Sequence, residues 1–202
     1  SAGGYNITTL DRKNGNLIDL PSYFAAEKFD AIVHLATMFL KSHEYSQITP
    51  LIDSNLTLTT QLLEASAKAQ IKHFLTFSTY YEFPTPASLY AATKAAMTPL
   101  LDYYARTSNT QITGLDLYDT YGPNDPRDKV VNFLIKSALA GTPTPLSPGE
   151  QQLKLLHIQD VCSAIEQALK LKQSGQNSAG SEPKTVARYG LAPLEAPTLK
   201  EI

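Results

Sequence analysis

Two rhythms of apolar and polar positions take turns along this chain. Tyr5-Asn-Ile-Thr-Thr-Leu10 is a short β-branched run that predicts a strand, and Ser22 to Lys28 predicts an amphipathic helix. Asp30-Ala-Ile-Val-His-Leu35 is a compact apolar run and predicts a second strand. Ser54 to Ala69 repeats at the helical period, with Leu56, Leu62, Leu63 and Ala65 near one face. His73-Phe-Leu-Thr-Phe77 is strand-like, a loop closes at Pro86, and a long helix follows whose Pro99 predicts a kink after Lys94. Gln111-Ile-Thr-Gly-Leu-Asp-Leu117 predicts another strand, entering the turn Tyr121-Gly-Pro-Asn124. Val130 to Leu139 and Ile158 to Leu171 are helical in pattern. Thr142 to Gly149 is proline-rich and irregular, and Gln173 to Lys184 has the Ser, Gly, Asn and Gln content of an exposed loop. Strands alternating with helices in this way predict an α/β fold built on a doubly wound parallel sheet.

Composition narrows the classes of function. At 202 residues, 43% of them apolar, the chain can bury a core of its own. A formal charge of −2 and the lack of a basic run give no electrostatic footprint for nucleic acid. No apolar stretch approaches the ~20 residues of a membrane span, so neither DNA nor a bilayer is an expected partner. Cys162 is the one cysteine, which excludes an internal disulfide framework and leaves no metal-ligand cluster. With no basic-then-apolar leader at the N-terminus, the expected compartment is the cytoplasm.

The chemistry concentrates in Ser88-Leu-Tyr-Ala-Ala-Thr-Lys94. A spacing of four stacks Tyr90 and Lys94 on one helix face, where an ammonium beside a phenol favours the ionised form. Tyr90 is thereby a candidate general acid/base and Lys94 its electrostatic partner. Ordinary helix-face packing gives the same spacing, so the surrounding motifs decide.

Read in order, those motifs resemble the extended short-chain dehydrogenase/reductase family, of nucleotide-sugar epimerase, dehydratase and ketoreductase type. Asp30-Ala-Ile-Val-His-Leu-Ala36 is similar to the family strand whose backbone lies along the dinucleotide. Asn55 matches a helix asparagine that supports the active site, and Phe77-Ser-Thr79 matches the hydroxyl residue preceding the catalytic tyrosine. Tyr121-Gly-Pro123, His157-Ile-Gln-Asp-Val161 and Pro197-Thr-Leu-Lys-Glu-Ile202 match later landmarks. The resemblance implies a Rossmann-like domain over residues 1–128, and over 129–202 a mixed segment that contributes to a small C-terminal substrate lobe and returns to the Rossmann-like domain.

It also implies roles for individual residues. Thr79, Tyr90, Lys94 and Asn55 would form the catalytic set. Asp11, Arg12, Asn16, Leu17, Leu35, Ala36 and Thr37 would line the cofactor site together with Tyr90 and Lys94. A carboxylate at Asp11 would hold the ribose hydroxyls and repel a 2′-phosphate, which favours NAD, while Arg12 leaves NADP open. Tyr80, Tyr81, Asp119 and Arg127 would meet the substrate.

The departures are as informative. The glycine-rich turn with which the family opens is not in the sequence, and Ser1-Ala-Gly-Gly4 looks like the end of the helix that would follow it, so the chain starts roughly two dozen residues late on the family pattern. It also stops where relatives continue, and reads as an interior portion of a member. Tyr80 and Tyr81 stand where dehydratases carry Asp-Glu, which disfavours dehydration, although Glu82 is close by. Asp119 replaces a substrate-contacting Asn. Leu153 replaces a diphosphate-binding Arg, with Lys154, Arg127 and Lys129 as nearby cations; His157 is assigned no chemical role. The expected protein is an NAD(P)-dependent nucleotide-sugar 4-epimerase or 4-ketoreductase, a homodimer when full length. The alternative is a non-enzymatic or inert fragment that does not bind dinucleotide.

Overall fold

In the computed structural model, residues 4–11, 19–127, 129–143, 145–171 and 185–202 are described. Helix α1 (Leu20–Glu27) starts where the Asp19 side chain accepts the Ser22 N–H, carries Pro21 in its first turn, and stops at Lys28 in the left-handed conformation. Proline there costs nothing, because a first-turn N–H has no intrahelical partner. Strand β1 (Ala31–His34) follows. Helix α2 (Ile48–Ile52), a π turn over Asp53–Thr57 and helix α3 (Leu58–Lys68) run on from one another. Then come β2 (His73–Thr79), a 3₁₀ turn at Tyr80–Glu82, α4 (Leu89–Thr107), β3 (Gln111–Leu117), β4 (Asp119–Tyr121), α5 (Val130–Ala140), β5 (Leu155–His157), α6 (Ile158–Lys170) and β6 (Ala187–Leu191).

The main sheet is parallel throughout, in the order β1-β2-β3-β6, with Phe74 beside Ile32 and Ile112. Successive side chains of a strand face opposite ways. Phe74 and Ile112 therefore meet Leu20 and Phe24 of α1, Leu62 and Leu63 of α3 and Leu101 of α4 on one side. Leu75 and Leu115 meet Ala164, Ile165 and Ala168 of α6 on the other. Helices on both faces of a parallel sheet make this a doubly wound Rossmann-like fold. Strands β4 and β5 form a separate parallel pair.

Contrary to its pattern, Tyr5–Leu10 is not a strand: no ladder forms there, and Leu10 packs against the core instead. A β-branched run becomes a strand only where a neighbouring edge takes up its backbone hydrogen bonds. Helix α4 continues through the exposed Pro99 as one element, so the proline removes one backbone bond without ending the helix. The segment Gln173–Lys184 lies outside the described residues.

His34, at the end of β1, is buried and bonded through Nε2 to Thr59 Oγ1 at 2.8 Å. The single Thr59 proton goes to the Asn55 carbonyl, so His34 Nε2 is the donor in this bond. Burial lowers its pKa to about 4, and the Lys94 charge acts in the same direction. The unfolded chain takes up this proton below about pH 6.5 and the folded chain only near 4, so stability present at neutral pH is lost as pH falls between those values. Urea unfolding is expected to lose about 2 kcal/mol between about pH 7 and pH 5 from this residue. His34→Asn should flatten most of that slope; an unchanged slope would assign the loss elsewhere.

Candidate active site

Four elements bring the candidate residues together at the C-terminal end of β1 and β2. The N-terminus of α4 is set by Ser88, whose side chain accepts the Ala91 N–H, and this fixes the first turns that carry Tyr90 and Lys94. Lys94 is buried and its Nζ donates to the Phe77 carbonyl at 3.0 Å, lying 5.9 Å from the centre of the Tyr90 ring. One of its three protons is thus used, and two remain available. Burial lowers the Lys94 pKa to about 8, with the Glu82 carboxylate pulling the other way. Tyr90 is half-buried and packs edge-on against Phe39 at 5.0 Å. Burial raises its pKa, the neighbouring Thr37 hydroxyl opposes this, and Glu82 adds to it. A lysine four residues away on the same face is expected to lower the Tyr90 pKa, whereas burial holds the phenol above its ordinary value. The ammonium here is turned toward a backbone carbonyl.

Asn55 is 1% exposed and uses all four of its hydrogen-bonding positions. Its Oδ1 accepts the Thr37 hydroxyl at 3.0 Å and the Met38 N–H at 2.8 Å. Its Nδ2 donates to the Met38 carbonyl and to Thr93 Oγ1, both at 3.0 Å. Thr93 in turn donates to the Tyr90 carbonyl at 2.7 Å. One buried amide in the π turn thereby ties the segment after β1 to the turn of α4 that carries the tyrosine. π turns recur at such places because they re-aim a side chain within a helix.

Thr79 closes β2 and is buried, its Oγ1 accepting the Tyr81 N–H at 3.3 Å. Leu35, Ala36 and Thr37 leave the sheet as an exposed non-helical segment, where a doubly wound fold leaves room for a dinucleotide. Asp11 is exposed in an irregular segment, and Arg12, Asn16 and Leu17 lie outside the described residues.

The expected substrate residues form a second group. Tyr80 stacks on Tyr118 at 4.2 Å, and Lys154 Nζ sits 4.7 Å from the centre of each ring. The Tyr81 hydroxyl donates to Asp119 at 2.6 Å, so burial and then that carboxylate push its pKa up. Arg127 spends its fork on Asp125, through Nε at 2.7 Å and Nη2 at 2.6 Å, and holds that carboxyl at about 2. Lys154 is the cation held beside Tyr80.

Arg188 of β6 was not legible in the sequence. It reaches across the sheet toward α4, bonding Glu82, Asp116 at 2.6 Å and Thr98 at 2.9 Å, and its guanidinium lies 5.5 Å from the Phe83 ring. Its stem passes over Gly114, where a Cβ would come within 3.3 Å of Arg188 Cγ. The one signal available was an arginine in an otherwise strand-like stretch, Val186-Ala-Arg-Tyr-Gly-Leu191.

Among the described residues, no group of three or more His, Cys, Asp and Glu is placed to hold a metal, and no helix is long and apolar enough to cross a membrane.

The doubly wound sheet, with a Tyr/Lys pair and a buried asparagine at its carboxyl edge, is an α/β fold of Rossmann-like type. The chain belongs to the NAD dependent epimerase/dehydratase family, whose model matches residues 2–180. It is 32% identical over 142 residues to CDP-abequose synthase from Yersinia pseudotuberculosis, covering 67% of this chain and 50% of that protein. It is 24% identical to UDP-glucuronate 4-epimerase 1 from Arabidopsis thaliana, covering 100% of this chain and 52% of that one. The chain thus spans about half the length of these curated relatives. The fold is shared with UDP-glucuronic acid 4-epimerase from Bacillus cereus, solved in complex with UDP-glucuronic acid and NAD: TM-score 0.76, 23% identity, covering 95% of this chain and 61% of that one. Extended short-chain dehydrogenase/reductase character is therefore established at the level of family and fold.

Proposed function

We propose that this protein is an NAD(P)-dependent enzyme acting on a nucleotide-activated sugar, as a 4-epimerase or a 4-ketoreductase, with Thr79, Tyr90 and Lys94 as the reacting set. The observation that carries the reading is the placement of Tyr90 and the buried Lys94 on one face of α4, anchored through Thr93 and Asn55 to the segment leaving β1. The relatives named above include nucleotide-sugar enzymes, and one was solved with NAD.

The residues present fit the nicotinamide end of such a cofactor. Lys94 Nζ makes one hydrogen bond, to the Phe77 carbonyl, which leaves two N–H donors for a ligand, and Leu35, Ala36 and Thr37 are exposed after the end of β1. NAD would supply the hydride acceptor and donor. Tyr90 would take or return the proton at the sugar oxygen, Thr79 would hydrogen-bond that oxygen, and Lys94 would hold the cofactor ribose and stabilise the phenolate. Tyr80, Tyr81 and Asp119 would line the sugar side, with Arg127 at its margin. Glu82 is 4% exposed and paired with Arg188, which argues against its serving as the acid of a dehydration.

The test is a panel of UDP-, CDP- and dTDP-hexoses and their 4-keto forms. Epimerisation gives isomerised sugar with no net change in NAD. Reduction oxidises one NAD(P)H and consumes one proton per alcohol formed. No turnover of any nucleotide-sugar, with no dinucleotide binding by calorimetry, would favour the inert reading. Asp11→Asn is expected to weaken NAD binding and relax discrimination against NADP, because the carboxylate that repels a 2′-phosphate is gone. Unchanged affinity for both cofactors would make Asp11 a turn residue only.

A further inference from the structure

Behind the Tyr90/Lys94 pair lies a charge cluster to which the proposed chemistry gives no role. Glu82 from the turn after β2, Asp116 from β3 and Arg188 from β6 converge on the α4 side of the sheet. Side-chain exposure is 2% for Glu82, 15% for Asp116 and 24% for Arg188. Lys94, Asp116 and Arg188 line one small cavity with Thr76, Ser78 and Thr98. Arg188 binds one oxygen of Glu82, while the other, Oε2, is buried without a hydrogen-bond partner, as is Ser78 Oγ. Two carboxylates against one guanidinium leave the cluster one negative charge, and Lys94 carries one positive charge. A buried ammonium loses its proton unless a counter-charge is held nearby.

We propose that Glu82, Asp116 and Arg188 are positioning residues, a preformed counter-ion unit that keeps Lys94 charged. Arg188 holds the two carboxylates together at a net charge of minus one beside the lysine. The unit draws on residues from 82 to 188, so the last strand of the sheet is coupled to the reacting pair. The other groups facing Lys94 are Tyr90 on α4, His34 on β1 and the Phe77 carbonyl on β2. His34 is neutral through the neutral range and does not compete for the charge. Glu82 acts on Tyr90 in the same sense as on Lys94, so the two groups move together when it is altered.

The functional consequence rests on the reading of Tyr90 and Lys94 as the proton-transfer pair, but the test does not. Carbon-13 NMR of lysine Cε follows Lys94 through pH in the whole chain, with Lys94→Arg assigning its signal. Glu82→Gln and Asp116→Asn each leave the cluster neutral; Glu82→Gln should lower the Lys94 midpoint by about one pH unit, and Asp116→Asn should lower it by less, because Glu82 is the carboxylate that acts most strongly on Lys94. Arg188→Met leaves it doubly negative and should raise the midpoint. Glu82→Gln with Arg188→Met restores a single negative charge and should return the midpoint close to its original value. Because Arg188→Met leaves two buried carboxylates without their cation and can fail to fold, the two neutralising variants carry the test. A Lys94 midpoint unmoved in both overturns the inference, whatever their stability. If the midpoints shift as expected but no nucleotide-sugar is turned over, the counter-ion unit stands and the enzymatic reading falls. With turnover, the alkaline limb of the pH–rate profile should move with Lys94.

Discussion

Tyr90→Phe is expected to lower turnover of the nucleotide-sugar substrate by about 10²–10⁴-fold, the span typical of a lost general acid or base. The substitution removes one hydroxyl from a half-buried ring whose edge-on packing against Phe39 is unaffected. The fold should therefore be retained, and substrate affinity should change far less than the rate. The pH dependence should change as well. Burial and Glu82 place the phenol above its ordinary pKa, so proton transfer by Tyr90 depends on stabilising the phenolate during turnover. Two uncommitted protons on Lys94, and expulsion of water by the ligand, provide a physical route. The measurement is kcat and KM across pH for the wild type and the variant. A variant within about three-fold of the wild-type rate would remove Tyr90 from the mechanism, because proton transfer contributes more than that.

Asn55→Ala should have the largest effect on stability. The amide satisfies the N–H and carbonyl of Met38 and the hydroxyls of Thr37 and Thr93, and Ala would leave all four without this partner in a site that is buried at Thr93 and part-buried at Met38 and Thr37. Each unsatisfied buried group costs about 1–3 kcal/mol, but water can enter along the exposed Thr37 side, so a net loss of roughly 3 kcal/mol is expected. For a chain of this size that corresponds to a fall in Tm of about 6–12 °C. Activity should fall with it even well below the melting point, because Thr93 and the segment around Met38 are no longer tied to one another. A loss below about 1 kcal/mol in urea unfolding would mean that the Met38 segment rebinds to water and that Asn55 anchors little.

Much of the fold is legible in local pattern. Gln111–Leu117 is a strand with the bounds its pattern predicts, and the helices carrying Asn55, Tyr90 and His157's neighbours follow apolar periods long enough to be distinctive. Their alternation with strands is what a parallel sheet with crossover helices requires. The short pieces are harder to read. β4 and β5 have three residues each, and three positions cannot display a period. Helix α2 contains Pro50, which lowers helical propensity although a proline in the first turn sacrifices no bond. Tyr5–Leu10 has strand composition and forms no ladder, because composition states a preference and pairing needs a neighbour.

The candidate site divides along the same line. Its local part follows from spacing along the chain: Tyr90 and Lys94 share a face because they are four apart in a helix, whereas the strand read over His73–Phe77 runs two residues further, so that Thr79 closes it. Which distant groups meet them depends on how the folded chain packs. Asn55 and Thr93 are 38 positions apart, and Glu82 and Arg188 are 106 apart. Nothing in the spacing of such residues encodes their contact. It arises because β6 pairs beside β3, so that Arg188 stands opposite Gly114 with room to cross toward α4. The protonation states follow from that arrangement as well, since desolvation and the charges of Glu82 and Lys94 act through space and not along the chain.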